Sequence, residues 1–114
     1  MPISKKKNKK WSIMLTFEKV LEVFRDYLIE DKSCEVLHSS RGCMVLNWEN
    51  CLQNDWVSAQ LCRTPEDLRD ILRFSYVEYE GFRLTNGFQR DLTEQEVQDI
   101  ERMGLELVAR CDEK

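Results

Sequence analysis

Histidine is almost missing from this chain: His38 is the only one in 114 residues. One imidazole excludes a paired-histidine zinc site and the H-E-x-x-H arrangement, both of which need two rings on one metal. Glycine is equally scarce, at positions 42, 81, 87 and 104. That spacing accommodates neither a G-x-G-x-x-G turn nor a P-loop, because both need closely spaced glycines to bring backbone N–H groups onto phosphate. No stretch approaches the roughly 18 apolar residues of a membrane span. No calcium-loop pattern occurs either. The sequence therefore predicts no cofactor, no metal and no membrane partner.

Cysteine is present, but not in a form that suggests a framework. Cys34, Cys43, Cys51, Cys62 and Cys111 make an odd set with no C-x-x-C pair, whereas secreted disulfide scaffolds use even sets behind a signal peptide. The charged N-terminus is followed by only Ile13-Met14-Leu15 before Glu18, too short an apolar run for a secretory leader. The expectation is a cytoplasmic protein with reduced thiols that act mostly as small buried hydrophobes.

What is abundant is charge. Charged residues are 33% and hydrophobic residues 42% of the chain, a globular balance with a formal net charge of −4. The charge is unevenly placed. Lys5, Lys6, Lys7, Lys9 and Lys10 put +5 into the first ten residues, and the remaining 12 basic and 21 acidic residues leave −9 on the body. Residues 1–13 read as a basic disordered tail, with Met14 an alternative start for the folded part. Residues 14–114 read as one domain.

Hydrophobic spacing supplies the elements. Thr16 caps a first helix whose stripe is Phe17, Val20, Leu21, Phe24 and Leu28, ending near Glu30–Lys32. The period then changes to two. Three short strands are predicted at 34–38, 43–48 and 55–61, the first two joined by a turn at Ser39–Gly42. Thr64 and Pro65 open a second helix with Leu68, Ile71, Leu72, Ser75 and Tyr79 inward, stopped by Gly81. Thr93-Glu94-Gln95-Glu96 is a capping box opening a third helix. The expected fold is α+β in the order α-β-β-β-α-α: a three-stranded antiparallel meander with the helices packed on one face. Met44, Leu46, Trp48, Val57, Ala59 and Leu61 are the expected core face.

The opposite face then carries Leu37, Cys43, Val45, Trp56 and Ser58, more apolar than a solvated face requires. This is the leading candidate site: a surface for a protein partner or a homodimer, making the chain a non-enzymatic interaction module. The opposing reading is that the tail, the Arg83–Asp91 connector with Phe82 and Phe88, or the third helix folds over this face; a one-residue slip in register also exchanges the two faces. The alternative is nucleic-acid binding by an arm of Lys5, Lys6, Lys7, Lys9 and Lys10, with Trp11 stacking on a base; the acidic body opposes it. A third reading pairs Cys43 with His38 across the first turn as a thiol nucleophile and base, without an orienting group or oxyanion hole. The acidic pairs fall in first helical turns or on polar helix faces, where dipole complementation accounts for them.

Ser40-Arg41-Gly42, Val45, Trp48, Asp55-Trp56, the run Cys62-Arg63-Thr64-Pro65-Glu66-Asp67-Leu68-Arg69-Asp70 and the opening Asp91-Leu92-Thr93-Glu94-Gln95-Glu96 resemble small uncharacterised proteins of bacterial mobile genetic elements. The resemblance covers most of the chain after Met14. It implies a bacterial accessory protein and supplies no activity, substrate or binding residue.

Overall fold

The computed structural model describes residues 14–50 and 55–113, without the side chains of 49, 50 and 55–57. The elements follow in the order α1 (Phe17–Val23), α2 (Arg25–Glu30), β1 (Cys34–Ser39), β2 (Gly42–Asn50), β3 (Asp55–Cys62), α3 (Pro65–Leu84) and α4 (Glu94–Cys111). The protein is α+β, and the sheet is antiparallel in the order β1-β2-β3. The expected basic tail, residues 1–13, lies outside the described residues.

The helix starts are those the capping residues specify. The Thr16, Thr64 and Thr93 hydroxyls accept from the N–H of Lys19, Asp67 and Glu96, each at 3.1 Å. At Thr93 the Glu96 carboxylate returns the bond to the cap N–H at 2.9 Å. The expected single first helix is divided at Phe24, where ψ opens to 9° while the fully buried ring enters the core. Backbone hydrogen bonds continue across the break, from Phe24 N–H to Val20 and from Leu28 N–H to Phe24.

The expected stop at Gly81 is a correction: α3 runs through it to Leu84. Gly81 is there for packing, since a Cβ would sit 3.3 Å from Leu92 Cδ1. The stop comes four residues later. Gly87 N–H reaches the Phe82 carbonyl at 2.9 Å and Asn86 N–H the Arg83 carbonyl at 3.3 Å. That is a Schellman closure with Asn86 in the left-handed region at φ 53°.

The second correction concerns the sheet faces. Register places Cys34, Val36 and His38 beside Asn47, Val45 and Cys43, and these beside Ser58, Gln60 and Cys62. The helices cover this face. Cys43 and Val45 are fully buried and Cys34 and Cys62 nearly so, packed with Val20, Phe24, Tyr27, Leu68 and Leu72. The residues expected inside are on the other face: Ala59 is exposed, and Met44, Leu46, Trp48 and Leu61 are half-buried. The reason is volume. The helices bring the bulky groups to the interface, so close helix–sheet packing takes small Cys and Val from the strands rather than Met, Leu and Trp. Leu37, assigned to the same face as Val45, pairs instead with Met44 on the open side and is 44% exposed.

Gly42 fixes the β1–β2 turn. Its φ is 140°, and a Cβ there would overlap the Cys62 carbonyl oxygen of the neighbouring strand.

Candidate interaction surfaces

The covered face is not covered throughout. Cys34, Cys43, Val45 and Cys62 are sealed, while Asn47, Ser58 and Gln60, toward the β3 edge, face a groove of about 740 Å³. The far wall is one stripe of α3, Ile71, Phe74, Ser75, Glu78, Tyr79 and Phe82, at the three- and four-residue spacing that puts side chains on one helix face. Phe88 and the Asp31–Ser33 turn close the ends. The floor is mostly polar, with Trp48 beside Asn47, Ser58 and Gln60, and Asn47 Nδ2–H donates to Ser58 Oγ at 3.2 Å. The rim is aromatic, with Phe74, Phe82 and Phe88 each more than half exposed.

Two buried polar clusters hold the groove's ends. Asp31, 6% exposed, accepts the Tyr27 hydroxyl at 2.7 Å, the Ser33 hydroxyl at 2.6 Å and the Ser33 N–H at 3.0 Å. Burial raises the Tyr27 hydroxyl well above its ordinary value, so it is a permanent donor. At the other end Thr85, 2% exposed, donates to the Gly81 carbonyl at 2.7 Å and accepts the Phe88 N–H at 2.9 Å. That bond helps hold Phe88 at φ 62°, a left-handed backbone unusual for a bulky side chain. Its ring meets Phe82 edge to face at 5.6 Å.

Of the residues proposed for an interface, Ser58 lies in this groove and Leu37 on the open reverse face. Cys43 and Val45 are removed from any surface by the helices over them. Trp56 pairs with Trp48 along the backbone, and its side chain lies outside the described residues. The candidate lysines Lys5, Lys6, Lys7, Lys9 and Lys10, and Trp11, likewise lie outside them.

Across the hairpin, Cys43 Sγ and His38 Nδ1 are 3.7 Å apart, as the turn arithmetic predicts. The environment works against a thiolate: burial, with the Glu18 carboxylate, pushes the Cys43 thiol up. Burial, aided by Asp67 and Cys43, pushes Cys62 up to about 11. Cys34, Cys43, Cys62 and Cys111 are all free and buried. Among the described residues no cluster of three or more His, Cys, Asp or Glu side chains is arranged to hold a metal. No described helix is long and apolar enough to cross a membrane.

The open reverse face carries two rows across the strands. Leu37, Met44 and Leu61 form one, and Glu35, Leu46 and Ala59 the next. The Glu35 carboxylate accepts the Trp48 indole N–H at 2.9 Å. The groove was missed in the sequence because α3's stripe reads as core whether or not anything fills the space opposite. The one available signal was phenylalanine in excess of what that stripe needs.

No protein-family model, curated protein or solved structure matches the chain.

Proposed function

We propose that this protein is an interaction module that holds an extended peptide segment of a partner in the groove between α3 and the β3 side of the sheet. The observation that carries the reading is the set of three phenylalanines, 52–66% exposed, around a mostly polar floor. Aromatic walls supply most of the binding energy at such sites, and a few amides and hydroxyls set orientation. Asn47, Ser58 and Gln60 offer the mixed donors and acceptors that a peptide backbone requires. The volume is within the roughly 300–1,000 Å³ of ligand pockets.

The charge of the body favours a particular flank. The lining itself is balanced, since among the described residues Glu78 on the α3 wall and Lys32 on the Asp31–Ser33 turn both lack an ion-pair partner within 4 Å. The chain beyond its first ten residues is at −9. An aromatic side chain flanked by lysine or arginine fits this setting better than one flanked by carboxylates.

The test is an amide-shift titration of the full chain with acetyl-Gly-Lys-Trp-Lys-Gly-amide. Saturable shifts at Asn47, Ser58, Gln60, Phe82 and Phe88 are expected, weakened at least tenfold in Phe74→Ser and Phe82→Ser. Equal binding of the Glu-Trp-Glu peptide overturns the charge preference. No saturable shift at millimolar peptide overturns the groove.

A further inference from the structure

We infer that the partner's extended segment is held as a fourth strand, its main chain hydrogen-bonded to the outer edge of β3. This rests on the reading of the groove given above. It adds which groups of this chain hold the segment and what sequence the segment has.

The register decides which way each main-chain group of β3 points. Along an antiparallel strand, successive residues turn their N–H and C=O alternately to one side and the other. Trp48 N–H donates to the Ser33 carbonyl at 2.7 Å, so the even-numbered residues of β2 turn toward β1. The two-residue turn closed by Ser39 and Gly42 has the same parity. Cys43, Val45 and Asn47 therefore turn toward β3, where they pair with Cys62, Gln60 and Ser58. The Cys62 carbonyl oxygen agrees, since it lies so close to β2 that a Cβ on Gly42 would overlap it. Ala59 and Leu61, between these, have their N–H and C=O on the far side. Because β3 is the last strand of the sheet, those groups meet no described strand.

Composition leaves this edge open to pairing. Sheet edges are commonly blunted by charge, proline or a covering element. The opposite edge strand, β1, carries Glu35 and His38, whereas Ser58–Cys62 has neither charge nor proline. The edge is also continuous with the groove. Ser58 and Gln60, which line it opposite α3, alternate along one strand with Ala59 and Leu61.

The occupant follows from these two surfaces. A strand added about 4.8 Å beyond β3 extends the groove's floor. Every second side chain of it turns to the α3 side, where Phe74 and Phe82 are more than half exposed. Ser58–Cys62 spans about 17 Å, the length of a five-residue extended peptide. The segment therefore carries aromatic or aliphatic side chains at alternate positions and no proline among the pairing residues.

The test uses the full chain and acetyl-Gly-Lys-Trp-Lys-Gly-amide with its main chain N-methylated at alternate positions. Methylating one set, either the two Lys N–H groups or those of Trp and the second Gly, is expected to weaken binding at least tenfold. The other set is expected to bind within twofold of the parent, and the sensitive set reports strand direction. In amide hydrogen exchange, Ala59 and Leu61 are expected to be fast in the free chain, unlike Gln60, and to slow at least tenfold with saturating peptide. Ala59→Pro deletes an outward N–H without touching the bonds to β2. It is expected to keep the parent's circular dichroism and to lose at least tenfold in affinity; if it misfolds, the methylated peptides still decide.

Saturable binding that responds alike to both methylated sets overturns the fourth strand and leaves the groove standing. No saturable binding overturns both. Ala59 and Leu61 amides as protected as Gln60 in the free chain also overturn the inference: the edge is then covered by the chain itself or, if protection falls on dilution, by a second copy.

Discussion

Phe88 offers a way to measure how far the groove's aromatic rim is held in place at a cost. Its φ of 62° is left-handed, and its ring is 58% exposed with one edge-to-face contact to Phe82. Phe88→Ala and Phe88→Gly remove the same ring and the same aromatic contact, worth about 0.5–1.5 kcal/mol. They differ in the backbone. A left-handed conformation costs an L-residue about 1–2 kcal/mol, which alanine retains and glycine relieves. Glycine's freer unfolded chain takes back about 0.5–1 kcal/mol. The glycine variant is therefore expected to be the more stable of the two by about 0.5–1 kcal/mol, or about 2–6 °C in Tm for a domain near this size. At most exposed helical or strand positions the order is the reverse. Urea unfolding followed by far-UV circular dichroism, with equal m-values, reads the difference directly. If alanine proves equal to or more stable than glycine, the backbone at 88 is not left-handed. The account of Thr85 and the Schellman closure as a clamp on the rim then fails.

Three further outcomes follow from particular contacts. Asp31→Ala strips the Tyr27 hydroxyl and Ser33 of their acceptor in a buried site and is expected to cost about 2–4 kcal/mol; a thermal melt unchanged within 1 °C contradicts this. The Arg90 guanidinium, bonded at 2.8 Å to both Glu96 oxygens, and the Thr93 N–H hold the Glu96 carboxyl down to about 2. Because the folded value is depressed, the parent's stability advantage over Glu96→Gln is complete above the ordinary carboxylate value near about 4.3. It shrinks as pH falls from there through about 2; melts at pH 6, 4 and 2.5 show whether the gap narrows in that order. Cys34, Cys43, Cys62 and Cys111 are buried with raised thiol values. Iodoacetamide should therefore label them only as fast as the protein unfolds, and rapid, pH-sensitive labelling of Cys43 alone would revive the His38–Cys43 nucleophile.

The elements were legible because their signals are local. Thr16, Thr64 and Thr93 begin helices by accepting N–H groups three residues ahead, so each start can be read from a few consecutive letters. Alternation over 34–61 and the short links specify an antiparallel meander for the same reason. The stop of α3 was misplaced because Gly81 and Gly87 are both plausible caps. Only the approach of Leu92 to Gly81 shows which glycine serves packing.

Which face of the sheet is inside was a different kind of question. Period-two alternation defines two faces and does not say which one the helices take. The sequence reading puts Met44, Leu46 and Trp48 inside, yet the helices supply Phe24, Leu68 and Leu72, and the remaining space admits Cys34, Cys43, Val45 and Cys62. That choice depends on volumes contributed from residues 20 to 72, which no local pattern carries. The groove depends on it as well, since it exists only where α3 parts from Asn47, Ser58 and Gln60. The sequence by itself determined the α+β class, the meander, the caps and the division of charge between the first ten residues and the rest. Tertiary packing alone decided that Cys43 and Val45 are interior, that the open face is the one bearing Leu46, and that three phenylalanines stand exposed around a mostly polar floor.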